Sequence, residues 1–99
     1  MSIIEIELDK PREIRFDFNA IADVELETGM GIGSLFSETN IGFNTFRVLL
    51  WAGLKHEDRG ITKAKAGELI GNYLKNGGSW TELGDKMFEA IEASGIMGN

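Results

Sequence analysis

No cysteine occurs in this sequence, which excludes disulfides, thiolate-held metal and a cysteine nucleophile. A single histidine, His56, cannot assemble a histidine metal cluster. Long apolar runs are missing as well. The longest, Val48-Leu49-Leu50-Trp51-Ala52-Gly53-Leu54, falls far short of the roughly 20 residues that a membrane span requires. The opening Met1-Ser2-Ile3-Ile4-Glu5 meets charge at once, unlike a signal peptide. These absences point to a cytoplasmic chain with no membrane partner.

What is present has ordinary globular proportions, with 42% hydrophobic and 26% charged residues. A chain of 99 residues suits one domain, 1–99, and buries about 65% of its unfolded surface without staples. The net charge of −6 is uneven. Residues 1–30 carry −5, residues 31–40 carry −1, residues 41–78 carry +3 and residues 79–99 carry −3. Nucleic-acid binding draws most of its affinity from dense basic surface, and this balance argues against it. A modest basic stripe at Lys55, Arg59, Lys63 and Lys65 reads as a solvated helix end and loop.

Periodicity sets the elements. Ile4, Ile6 and Leu8 alternate with acids, and Ile14, Phe16 and Phe18 alternate again beyond Asp9-Lys10-Pro11-Arg12. Two strands with a four- to five-residue link make a hairpin over about 3–18, whose apolar face needs a helix beneath it. Asn19 can cap a helix at about 19–28, which Gly29 ends. Ser34-Leu35-Phe36 adds at most a turn before Thr39-Asn40-Ile41-Gly42 breaks the pattern. A helix at about 43–55 is apolar nearly all round, with Phe43, Phe46, Leu50 and Leu54 on one stripe, and is therefore central. Thr62 caps a helix at about 62–75 carrying Ala66, Leu69, Ile70, Tyr73 and Leu74. Ser79-Trp80-Thr81-Glu82 has capping-box spacing and opens a helix at about 79–93 with Trp80, Leu83, Met87 and Ile91 on one face. Gly95 to Asn99 reads as a frayed tail. The expected fold is mainly α, in the α+β class: a short N-terminal β-hairpin and about four helices around one core.

Chemistry is harder to find. Gly29-Met30-Gly31-Ile32-Gly33 follows a helix where a phosphate-binding run would follow a strand, so it reads as a helix cap and loop. Around Gly60, a calcium loop would put Lys55 and Arg59 at ligand positions, and that reading fails. No pattern around His56 supports a general base, leaving an exposed helix-end histidine. Glu5/Glu7, Glu25/Glu27 and Asp23/Glu27 read as solvated faces, the last pair repelling mildly with no cation in its turn. The expectation is no catalytic residue, no metal and no cofactor. Aromatics at helical spacing are core, except that Trp80, on a first turn, is the candidate for an exposed partner-binding residue.

The order of elements carries one further signal. The helix ending Glu25-Leu26-Glu27-Thr28-Gly29, the turn at Ser34-Leu35-Phe36 and the run Leu50-Trp51-Ala52-Gly53-Leu54 follow a hairpin and precede the helix opened by Ile61-Thr62. Over roughly residues 4–91 this resembles the small tail assembly chaperones of long-tailed bacteriophages and their gene transfer agent relatives. The resemblance implies a non-enzymatic protein that binds the tape measure protein before the tail tube forms around it. In that family a C-terminally extended frameshift product recruits the tail tube protein, and this sequence shows no such extension. Self-association stays open. An apolar groove with a charged rim would serve an extended helical partner, and Met30, Met87 and Met97 could make such a surface adaptable. The runner-up is a small DNA-binding or transcription-regulating domain built on the helices at 62–75 and 79–93. A final helix with only Lys86 as a base speaks against it. A third reading, an accessory enzyme subunit, has no feature for or against it.

Overall fold

A computed structural model describes residues 3–37 and 42–96. Among these, strands β1 (Ile4–Glu7) and β2 (Pro11–Ile14) precede helices α1 (Phe18–Thr28), α2 (Ile32–Ser37), α3 (Phe43–Leu54), α4 (Lys63–Lys75) and α5 (Trp80–Ala93). The architecture is α+β, as expected, with α2 as a fifth, short helix. The break at Thr39-Asn40-Ile41, the end of the tail and Met97 lie outside the described residues.

The hairpin is tighter than the sequence implies. Pro11 begins β2 opposite Glu7, so Leu8, Asp9 and Lys10 alone make the link. Proline suits the first residue of an edge strand, because it has no N–H to donate to the ladder. The antiparallel register sets Ile4 against Ile14 and Ile6 against Arg12, with all four side chains buried. Phe16 continues this inner face past the strand. The period then changes at Phe18, which opens α1 and stands 71% exposed instead of following Phe16 inward.

Asp17, not Asn19, caps α1. Its backbone is extended and its Oδ1 accepts the Ala20 N–H at 2.8 Å, satisfying one of the orphan donors of the first turn. Asn19 lies two residues further on, already inside the helix. The other predicted caps are in place: Thr62 accepts from Lys65 N–H and Ser79 from Glu82 N–H. Gly29 ends α1 with φ of 72°, a left-handed conformation that costs glycine little.

α3 is the central element and packs on β2, α1, α4 and α5. Leu49, Leu50 and Leu54 have no solvent exposure. Phe43 departs from the predicted stripe, because at the first helical position it projects beyond the packed layer and is 80% exposed. Gly53 lets β2 sit directly on α3. A Cβ there would come within 2.8 Å of Ile14 Cγ2 and 3.2 Å of the Phe16 ring. The same close approach lets Arg15 N–H donate to the Gly53 carbonyl at 2.9 Å. On the other side α5 packs against β1, and Lys86 Nζ donates to the Glu5 carbonyl at 2.9 Å.

Candidate protein-binding groove

Trp80 is half-buried on the first turn of α5, where a network of local hydrogen bonds fixes it. Ser79 and Glu82 form only half of a capping box, since the Ser79 hydroxyl accepts from Glu82 N–H at 3.1 Å. The return half is relayed through α4. Ser79 N–H donates to the Tyr73 hydroxyl at 3.3 Å, and that hydroxyl donates to Glu82 Oε1 at 3.1 Å. Burial, ahead of the Glu82 carboxylate, pushes the Tyr73 phenol above its ordinary pKa, so it stays a donor in this relay.

The Trp80 ring meets two phenylalanines of α3. Phe46, buried in the core, lies edge-on with ring centres 3.9 Å apart, and exposed Phe43 lies 5.2 Å away at the same interplanar angle of 67°. The Phe43 contact has the separation and tilt that suit the ring quadrupoles. Beside them α4 presents Gly67 and Gly71, four residues apart, with Ile70 and Leu74 along the same side. Without side chains at Gly67 and Gly71, the surface between Phe43–Trp80 and α4 forms an open groove of about 460 Å³, with the backbone itself open at Gly71. The stem of Arg47 crosses Gly67, where a Cβ would stand 3.3 Å from Arg47 Cδ. Its guanidinium donates to Asn44 Oδ1 at 2.7 Å and has no carboxylate partner among the described residues. The groove is therefore apolar, walled by aromatics and rimmed by one cation. The expected partner-binding residue, Trp80, lines it; Phe43, Gly67, Gly71 and Arg47 were not anticipated.

The remaining candidates resolve into structural roles. Half of the basic stripe is consumed by α1, with Lys55 Nζ 2.6 Å from Asp23 and Lys63 paired to Glu27. Asp23 and Glu27 thus find cations on other elements. Both ammonium groups also lie over the Trp51 ring, 4.3 Å and 5.4 Å from its centre, while Trp51 Nε1 donates to the Ile61 carbonyl. His56 is half-buried, not exposed, with Nε2 2.8 Å from the Glu13 carbonyl, so that nitrogen carries the proton and tethers the loop after α3 to β2. Its neighbours Asp17 and Asp23 are occupied by Ala20 N–H and Lys55. The glycine run holds its own acid: Glu25 Oε2 accepts Ile32 N–H at the start of α2. Met87 is fully buried and Met30 packs on the core, which removes Met87 from any adaptable surface. Met87 follows the Leu83–Ile91 stripe that the α5 periodicity already marks.

Arg12 is the functional-looking residue that sequence reasoning missed. It is buried, forks onto both oxygens of Asp9 at 2.9 Å, and lies 3.7 Å from Glu57 and 3.6 Å from Asp58. The Arg12 hydrogen bonds hold the Asp9 carboxyl below its ordinary range. The pairing pins the hairpin link to the loop after α3. No group of three or more His, Asp or Glu among the described residues is placed to hold a metal ion, and no described helix is long and apolar enough to cross a membrane. No protein-family model, no curated protein and no solved structure matches this chain.

Proposed function

We propose that this chain is a non-catalytic protein-binding module, a tail assembly chaperone of the long-tailed phage type acting in the host cytoplasm. It holds an apolar helical stripe of the tape measure protein until the tail tube protein assembles around it. The observation that carries the reading is the groove between Phe43–Trp80 and α4, whose backbone is open at Gly71 and crossed by the Arg47 stem at Gly67. An amphipathic helix presents its apolar stripe to a groove of that kind, and glycine flooring permits close backbone approach. The element order, which resembles that of the chaperone family, supports the tape measure protein as the partner. The net charge of −6 keeps a complex of an acidic domain with an aggregation-prone partner in solution.

The deciding experiment co-expresses the chain with a fragment of the tape measure protein from the same genome. The fragment should become soluble and co-purify with the chain. Equal precipitation with and without the chain sinks the proposal.

A further inference from the structure

A second unpartnered apolar surface lies on α1. Phe18, Ala22 and Leu26 follow one another at four-residue spacing, so they form one stripe along the helix. All three are exposed, Phe18 at 71% and Leu26 at 80%. The opposite side of α1, at Ala20, Ile21 and Val24, is the one buried against the core. No residue of this stripe lines the groove, so one molecule presents both a convex helical stripe and a concave helical site.

One charge on each surface is complementary. Of the α1 acids, Asp23 and Glu27 are held by Lys55 and Lys63 of the same molecule, which leaves Glu25, exposed and engaged through Oε2 alone with Ile32 N–H. At the groove, Arg47 lacks a carboxylate partner among the described residues. Glu25 borders the exposed stripe, next to Leu26 and one turn from Ala22, which sets an acid beside the apolar residues that would enter.

We infer that the groove of one molecule takes the Phe18–Ala22–Leu26 face of α1 from a second copy of this chain. The inference rests on reading the groove as a docking site for a helix, and is independent of which foreign helix it also takes. The contact is heterologous: stripe meets groove, leaving a free groove at one end of the pair and a free stripe at the other. Copies therefore add head to tail. One helical stripe in one groove is a small interface, so association is weak and reversible, and a better helix displaces it.

Complementation between two variants tests this. Leu26→Lys spoils the stripe and Phe43→Asp spoils the groove. Both positions are exposed, lysine suits the last turn of α1 and aspartate the first turn of α3, so unchanged circular dichroism and melting temperature are expected. By sedimentation velocity, the unmodified chain should show a mean mass that rises with concentration above the 10.9 kDa of one chain. Each variant alone should remain monomeric to roughly millimolar concentration, well above the range where a small interface associates. Mixed, they should restore a 1:1 dimer that grows no further, since only one intact stripe meets one intact groove. Monomers in every arm, the unmodified chain included, overturn self-association, and if a tape measure fragment still co-purifies the chaperone reading stands without it. Continued association of either variant alone also overturns the inference, because it indicates stripe on stripe or groove on groove.

Discussion

Arg12 and Asp9 form a bidentate pair in which Nε and Nη2 each donate to a carboxylate oxygen at 2.9 Å, on an arginine only 4% exposed. Fork-on-fork geometry is the strong form of this interaction. The three acids around Arg12 keep contact with water, so the desolvation that offsets a fully buried pair is only partial here. Arg12→Ala removes the anchor between the hairpin link and the loop after α3. It should lower stability by about 2–3 kcal/mol, read as a shift of the urea midpoint at unchanged slope.

Asp9 should make part of the acid sensitivity. Its pKa is lowered in the folded chain, first by the Arg12 hydrogen bonds and then by the guanidinium charge. A lowered carboxyl stabilises the fold above its unfolded pKa, and the contribution disappears as pH falls through the folded value. The model-peptide value is 3.8, so the contribution is complete by about pH 5 and fades below pH 4. Asp9→Asn should therefore be less stable than the parent at pH 6, with the gap narrowing as the pH falls below 4. A gap of constant size across that range would assign the effect to packing. Because Asp9 is well exposed, screening keeps the difference small and salt-dependent.

Leu50 tests the centre of the core. It has no exposure, sits midway along α3, and belongs to the layer that the hairpin and the other helices share. Leu50→Ala should cost about 2–5 kcal/mol, depending on how far the surrounding side chains can close the cavity. Denaturant unfolding showing a loss under about 0.5 kcal/mol, the level of an ordinary surface substitution, would contradict a central α3.

How much of this was legible depended on whether the signal was local. The inner face of the hairpin could be read because Ile4, Ile6, Ile14 and Phe16 keep a period of two. Arg12 keeps the same parity as Ile14, yet Pro11 beside it drew the reading to a turn. Thr62 and Ser79 were recognisable caps because an apolar stripe starts directly behind each. At α1 two good cap residues, Asp17 and Asn19, stand two apart, and only the backbone decides between them. α2 is six residues long, too short to establish a period. The ion pairs Lys55–Asp23 and Lys63–Glu27 and the groove itself join residues far apart in sequence. No local pattern contains Phe43, Gly67 and Trp80 together. Trp80 alone was flagged, because an aromatic at a helix start is poorly placed to be covered.

Duplex DNA should not bind at physiological salt. Of the ten basic residues, Arg12 is buried among three acids, Lys55 and Lys63 lie on α1 carboxylates, and Lys86 is held by a β1 carbonyl. Lys86 is also the single base on α5, the helix a DNA-binding reading would place in the groove. Phosphate contacts supply non-specific affinity roughly in proportion to their number, and the six remaining cations stand in a chain with 16 acids and a net charge of −6. Fluorescence anisotropy with a labelled duplex is the measurement. Submicromolar binding that weakens steeply with salt would favour the regulator reading over the chaperone.

Trp80 and Phe43 should separate binding from folding. Trp80 is half-buried and rests on Phe46, a core residue, so its ring serves the core as well as the groove. Trp80→Ala should therefore cost about 1–2 kcal/mol through lost apolar burial and the edge-to-face contact, while leaving the chain folded. Phe43 is 80% exposed and touches the same ring from outside, so Phe43→Ala should stay within about 0.5 kcal/mol of the parent. If the groove holds a helical stripe of the tape measure protein, both substitutions should weaken co-purification of that fragment, although only one affects stability. The expected loss is about tenfold or more in retained fragment for each, since buried aromatics at the centre of an interface carry a large share of its affinity. Raising the salt from about 0.1 to 0.5 M should change the parent's retention little, because apolar burial is not screened and a rim charge such as Arg47 is. Retention that survives Phe43→Ala and Trp80→Ala together places the partner elsewhere on the molecule. Retention lost only with Trp80→Ala, in step with its fall in stability, reduces Trp80 to a structural residue.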